Sequence, residues 1–140
     1  MAVFNKFQDF AEQLCKGVHN FSTHTFKVYL SNTAPTAATH AVKTDLAEIS
    51  SGNGYTAGGN ATTVGITETG GTATVTGTDP AVWTASGGTI GPFRYAVLYN
   101  DTPTSPADPL IAWWDYGSAV TLQVGETFTV DFGASLFTLA

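Results

Sequence analysis

The sequence predicts an all-β domain, a β-sandwich or jelly-roll-like fold of about eight short strands, with an N-terminal amphipathic helix. Three features of the composition predict it. Threonine outnumbers all charged residues combined, aromatic residues make up 12% of the chain, and 15 glycines are spread along it. Threonine and aromatic side chains suit pleated strands, and glycines mark the turns between them. Charged residues amount to only 11%, which argues against a helical bundle or a disordered chain.

The first element is a predicted helix from Val3 to Lys16. Its apolar residues recur every three or four positions, and Lys16-Gly17 is a typical helix end. We therefore divide the chain into an N-terminal helix or arm, residues 1–20, and a β-sandwich domain, residues 21–140. The apolar stripe must pack either on the chain's own sheet or on a neighbouring subunit. It supplies four candidate interface residues: Phe4, Phe7, Phe10 and Leu14.

The next segment combines a strand, a short helix and a loop. Residues 25–31 alternate between apolar and polar and predict a strand with Phe26, Val28 and Leu30 on one face. Residues 42–50 predict a short helix with Thr44 as its N-cap. Residues 51–61 are rich in glycine and predict an exposed loop.

From residue 62 onward the pattern is one of short strands separated by turns. Their regular spacing is typical of a β-sandwich or barrel. Residues 93–99 are apolar on both faces, which predicts a central strand. The predicted strands are residues 62–67, 72–76, 81–85, 93–99, 110–114, 120–124, 127–132 and 136–139.

Charge and cysteine content exclude several classes of protein. The net charge is −6, and the five basic residues are scattered, so we expect no nucleic-acid partner. A single cysteine allows neither an internal disulfide nor a cysteine-rich zinc site. No stretch approaches the roughly 18 apolar residues that span a membrane. We expect a soluble chain made in the cytoplasm, with no membrane partner.

Residues capable of catalysis do not form a recognisable motif. His19, His24 and His40 all lie in the first third of the chain, in polar surroundings. Cys15 falls beside the apolar stripe, where we expect it to act as a small buried hydrophobe. No metal-ligand spacing or phosphate-binding glycine motif is present. We therefore expect no enzyme activity, no cofactor and no metal.

The run Trp113-Trp114-Asp115-Tyr116 is the most distinctive chemical feature. Neighbouring residues of a strand point to opposite faces, so we expect only one of the two tryptophans to join the core. Three interpretations remain open for the other tryptophan and Tyr116: contact with a partner, burial under the N-terminal helix, or stacking against a sugar. Trp113, Trp114 and Tyr116 complete the set of candidate interface residues.

Two segments carry a resemblance to known proteins. They are residues 26–59, with FKVYLSNTAPT and TDLAEISSGNGYTAGG, and residues 91–132, with YNDTPTSPADPLIAWWDYG and the closing GETFTVDF. Together they resemble small virion-associated proteins of tailed bacteriophages, placed among head or tail structural genes. The resemblance covers over half of the chain and carries over no catalytic residue.

The resemblance implies a structural role in the virion. We expect a capsid decoration (cement) protein that is made in the host cytoplasm and stabilises the head by binding across subunits of the major capsid protein. Decoration proteins of this kind are often trimers, so a homotrimer is the expected oligomer. The alternatives are a tail or baseplate component and a carbohydrate-binding module for host-surface attachment.

Overall fold

The computed structural model describes residues 3–140; Met1 and Ala2, the first residues of the predicted arm, lie outside them. It confirms the all-β prediction, since ten short strands of the described chain form antiparallel sheets. The helix, α1, is Gln8–Cys15, and Lys43–Asp45 form a single 3-10 turn. The strands are β1 Asn5–Lys6, β2 Phe26–Ser31, β3 Asn60–Thr62, β4 Val64–Thr69, β5 Thr72–Gly77, β6 Trp83–Thr84, β7 Ile90–Asn100, β8 Leu110–Leu122, β9 Thr127–Phe128 and β10 Phe137–Leu139.

A five-stranded sheet organises the molecule, in the order β1-β8-β7-β2-β3. The predicted central strand is confirmed, because β7 lies between β8 and β2 and is buried over its last six residues. It pairs with β2 from Phe26↔Asn100 to Ser31↔Tyr95 without interruption. Both faces of this sheet are covered, which explains why its strands are apolar on both sides.

Each face of the sheet has its own hydrophobic cluster. The larger cluster fills the space between the sheet and the smaller elements, and it includes Val28, Leu98 and Trp114 from the sheet. The smaller cluster lies on the opposite face, where Tyr29 and Val97 pack with Phe7 and Leu46. The tyrosine hydroxyl of Tyr29 donates to the carbonyl of Leu46 at 3.0 Å, so this burial leaves the phenol satisfied.

Two small sheets form the second layer over the larger cluster. One is three-stranded, in the order β10-β5-β4, and the other pairs β6 with β9. Val75 of β5, Trp83 of β6 and Phe132 contribute side chains to the shared core. Residues 60–69 pass from the edge of the main sheet, as β3, to the edge of the three-stranded sheet, as β4.

Three local predictions were wrong. The predicted helix from Val3 begins only at Gln8, because Asn5 and Lys6 pair with β8 as a strand. The predicted helix over residues 42–50 is reduced to the 3-10 turn, whose Asp45 carboxylate accepts the backbone N–H groups of Ala41 and Val42. The predicted strands 110–114 and 120–124 are one continuous strand, β8.

The glycine-rich loop is anchored rather than simply exposed. Tyr55 is buried at its centre, donating its hydroxyl to Glu48 at 2.7 Å and accepting the backbone N–H of Leu30 at 3.0 Å. At Gly59, with φ +73°, a Cβ would lie 1.8 Å from the carbonyl oxygen of Val28. Only glycine permits so close an approach to β2.

None of the helices within residues 3–140 is both long and apolar enough to cross a membrane.

Candidate functional site

An irregularity in β8 shapes a concave surface of the molecule. The pairs Phe93↔Val120 and Tyr95↔Asp115 are consecutive, so Arg94 alone faces residues 116–119. The extra residues form a bulge of several residues, a feature that redirects side chains and is often found beside functional sites. Its backbone turns at Gly117, with φ +99°. The bulge leaves Tyr116 59% exposed.

Beside the bulge lies a cleft of about 250 Å³, which we call the aromatic cleft. Tyr116 and Phe128 meet at its rim with ring centroids 5.6 Å apart and planes at 68°. Trp114 lies deeper in the cleft, and its ring centroid is 5.0 Å from that of Phe132. The lining residues are Arg94, Ala96, Trp114, Tyr116, Phe128, Thr129, Val130 and Asp131.

Asp115 organises the charged side of the aromatic cleft. Its two carboxylate oxygens accept hydrogen bonds from Nε and Nη2 of Arg94 at 2.7 and 2.9 Å, so the two side chains form a bidentate pair. The backbone N–H of Gly117 donates to the same carboxylate at 2.8 Å, which fixes the bulge. The Arg94 guanidinium holds the pKa of Asp115 below its usual range. Opposite this pair, Asp131 accepts the backbone N–H of Gly133 at 2.8 Å.

The phenylalanines of the predicted interface pack inside the chain. Phe7 is fully buried, and its ring lies 4.6 Å from that of Trp113. Phe10 is 3% exposed and contacts Phe21 and Phe137 in the larger cluster. Their burial within one chain leaves these two side chains inaccessible to a partner's surface.

The remaining predicted residues also lie mainly against the chain's own core. Phe4 and Leu14 are half-buried against the larger cluster, with Phe4 5.6 Å from Trp114. Both tryptophans join a core, Trp114 in the larger cluster and Trp113 against the smaller one. The expectation that only one could do so was wrong, because both faces of β8 are covered. Of the seven candidates, Tyr116 alone is largely exposed.

A second accessible surface lies on the three-stranded sheet. Its edge strand β4 is exposed from Gly65 to Thr69 and carries a single charge, Glu68. Ile66 and Leu139 are 47% and 58% exposed and lie on the same face of this sheet, on either side of β5. We call this surface the open edge. Natural edge strands are commonly protected by lysine, proline or a bulge, and β4 contains neither lysine nor proline.

Of the residues that line the aromatic cleft, sequence reasoning named only Trp114 and Tyr116, and those it missed include Arg94, Phe128 and Asp131. Arg94 does leave a signal, since it is the only charged residue in the otherwise apolar segment 93–99. Phe128 and Asp131 leave none, because only the folding of the residue 127–132 segment across β7 and β8 brings them to Tyr116. The aromatic cleft is thus a product of the tertiary fold.

Two of the residues considered for catalysis, His19 and His24, meet at the side-chain amide of Asn100. Asn100 Nδ2 donates to His19 Nδ1 at 3.2 Å and to His24 Nδ1 at 2.9 Å. Cys15 is exposed, so its predicted burial was wrong. Within residues 3–140 no group of three or more histidine, cysteine, aspartate or glutamate side chains is placed to hold a metal ion.

Comparison with known proteins finds no match for this chain. No family model matches it, and neither does any curated protein or solved structure.

Proposed function

We propose that this chain is a structural protein of a tailed-bacteriophage virion, a capsid decoration protein that stabilises the head by binding across neighbouring subunits of the major capsid protein. The resemblance of residues 26–59 and 91–132 to small phage virion proteins motivates the assignment. These segments include the strands at the centre of the main sheet, β2, β7 and β8.

The observation that carries the proposal is the open edge. A strand with unpaired backbone groups, little charge and an exposed isoleucine is suited to pairing with another protein chain. Ile66 is exposed on β4 itself, and Leu139 is exposed on β10, the other edge strand of the same sheet. Contact with capsid subunits would cover these groups and satisfy the backbone of β4.

The charge distribution supports an assembly role. Four of the five basic residues form ion pairs within the chain, with Glu12, Asp101, Glu48 and Asp115 as partners. Most of the surface charge that remains is acidic, since the net charge is −6. We expect the capsid surface that receives this chain to be neutral or basic, because complementary charge steers association.

The test uses heads of the phage that encodes this chain, assembled without it. Purified wild-type chain should co-sediment with these heads, and Ile66→Asp should bind at least about tenfold more weakly because a carboxylate would be desolvated in the contact. Val124→Asp is the matched control, since Val124 is 65% exposed and lies outside the open edge. It should bind like wild type.

Two results would overturn the proposal. One is the absence of the chain from purified wild-type particles by mass spectrometry. The other is a failure of the wild-type chain to bind heads that lack it. Equal loss of binding in Ile66→Asp and Val124→Asp would refute the assignment of the contact to the open edge.

A further inference from the structure

The aromatic cleft has the composition of a ligand site rather than of a packing defect. Tyr116 is held in solvent by the bulge, whose geometry the Asp115 carboxylate fixes through Arg94 and Gly117. Because Tyr116 meets Phe128 edge-to-face, its ring is not stacked on that neighbour. An exposed, positioned aromatic ring beside a concave surface is suited to stacking against a ligand's apolar face.

The charges around the aromatic cleft favour a neutral ligand. An anion would meet the carboxylate of Asp131, while a cation would meet the guanidinium of Arg94. A ligand with hydroxyl groups can use both types, because it donates to carboxylates and accepts from guanidinium N–H groups. Asp131 uses one carboxylate oxygen for Gly133, and the second oxygen remains to accept.

Size restricts the ligand further. The aromatic cleft is about 250 Å³, smaller than the about 300 Å³ at which pockets for drug-sized ligands begin. It therefore suits a single ring. A pyranose combines an apolar C–H face with hydroxyl groups around its rim, which matches a floor of aromatic rings flanked by Arg94 and Asp131.

We propose that the aromatic cleft binds one neutral pyranose ring of a glycan, stacked on Tyr116 and hydrogen-bonded by Arg94 and Asp131. This activity is separate from assembly, because the cleft and the open edge are built from different residues. A virion protein with both surfaces would attach to the particle through one and contact carbohydrate through the other.

The experiment is an NMR titration of the isolated chain with methyl glycosides of glucose, galactose, mannose and N-acetylglucosamine. At least one should bind with a dissociation constant on the order of 1 mM, typical of a one-ring contact. The affected backbone signals should be those lining the aromatic cleft. Glucuronic acid and Nα-acetyl-lysine methylamide serve as the anionic and cationic probes and should bind more weakly.

Four variants separate stacking from other effects. Tyr116→Ala should weaken binding about tenfold or more, whereas Tyr116→Phe, which keeps the ring, should retain it. Asp131→Ala should also weaken binding, and Val124→Ala should not. Because Tyr116 and Asp131 are exposed, their variants should remain folded, which the same spectra verify.

The proposal is overturned if no neutral glycoside shifts the cleft signals at roughly 20 mM, or if Tyr116→Ala binds like wild type. Binding of the lysine derivative in preference to every sugar would also overturn it, because the aromatic cleft would then accommodate a basic side chain of a protein. Since the titration needs no phage particle, its failure is distinguishable from failure of head binding.

Discussion

At the scale of single residues, Asp115 and Asn100 form polar contacts at the two ends of the buried part of β7. Asp115 joins Arg94 to the bulge and so defines the aromatic cleft. At the other end of β7, Asn100 is fully buried and donates to both His19 and His24. Each histidine must leave Nδ1 unprotonated to accept, because an amide nitrogen only donates.

His19 makes the fold sensitive to mild acid. Burial, with a smaller effect from His24, lowers the pKa of His19 from 6.5 to about 4, although Asp9 acts in the opposite direction. Between these two values the unfolded chain is protonated at His19 and the folded chain is not. Stability conferred by neutral His19 is therefore complete above pH 6.5 and is lost as the pH falls towards 4.

We predict that the free energy of unfolding falls by about 2 kcal/mol between pH 7 and pH 5 because of this one group. His19→Gln keeps an acceptor for Asn100 but does not titrate, so it should lose most of this dependence. His40→Gln is the control and should behave like wild type. Urea unfolding at the two pH values measures the effect, and an unchanged pH dependence in His19→Gln would contradict it.

At the scale of elements, the N-terminal segment is part of the fold. The chain enters as β1 on the edge of the main sheet and then turns into α1. Phe7 joins the smaller cluster on one face, while Phe10 joins the larger cluster on the other. The segment thus wraps around the sheet edge and closes both cores.

Replacing Phe7 by alanine should therefore destabilise the isolated chain by about 3–5 kcal/mol, as for other fully buried phenylalanines. Val3→Ala, at a position 73% exposed, should change the stability by less than about 0.5 kcal/mol. Chemical denaturation measures both variants. If Phe7 were mainly an anchor for a partner, Phe7→Ala would unfold at the wild-type denaturant concentration.

The elements also show how far the sequence could predict the structure. Alternating residues and turn residues located most strands, and the run that is apolar on both faces located the central strand β7, because both patterns follow from burial. The apolar spacing from Val3 to Leu14 predicted one helix, yet it conceals a change from strand to helix at Phe7. The spacing of apolar residues indicates which side chains are buried. It does not distinguish strand from helix here, because Phe7 and Phe10 would be buried in a continuous helix and are buried in the observed strand and helix.

Long-range pairing explains why the site was harder to predict. Gly117-Ser118 has the composition of a turn between two strands, but β8 returns to the same partner, β7, after the bulge. No local sequence pattern distinguishes a turn from a bulge of this length. The difference is whether the residues that follow pair with the same strand or with another one. Tyr116 was a candidate from its chemistry, whereas its neighbours Phe128 and Asp131 became apparent only in the fold.

At the scale of the whole molecule, threonine hydroxyl groups cover strand surfaces that carry little charge. On the outward face of the three-stranded sheet, Thr67, Thr74 and Thr138 lie side by side in register. Their hydroxyl groups keep a strand surface hydrated with little charge. The apolar side chains that remain exposed include Ile66 and Leu139 at the open edge and Tyr116 at the aromatic cleft.

For the whole molecule, the proposed role is that of a decoration protein of a phage head. A cryo-electron microscopy map of the intact particle tests it most directly. We expect an all-β density of this size on the outer surface of the head, in trimers that bridge neighbouring capsid subunits. The open edge should be in contact with the capsid, and the aromatic cleft should face outward. Density located in the tail or baseplate would contradict the head assignment, and a complete map without this chain would contradict a structural role in the virion.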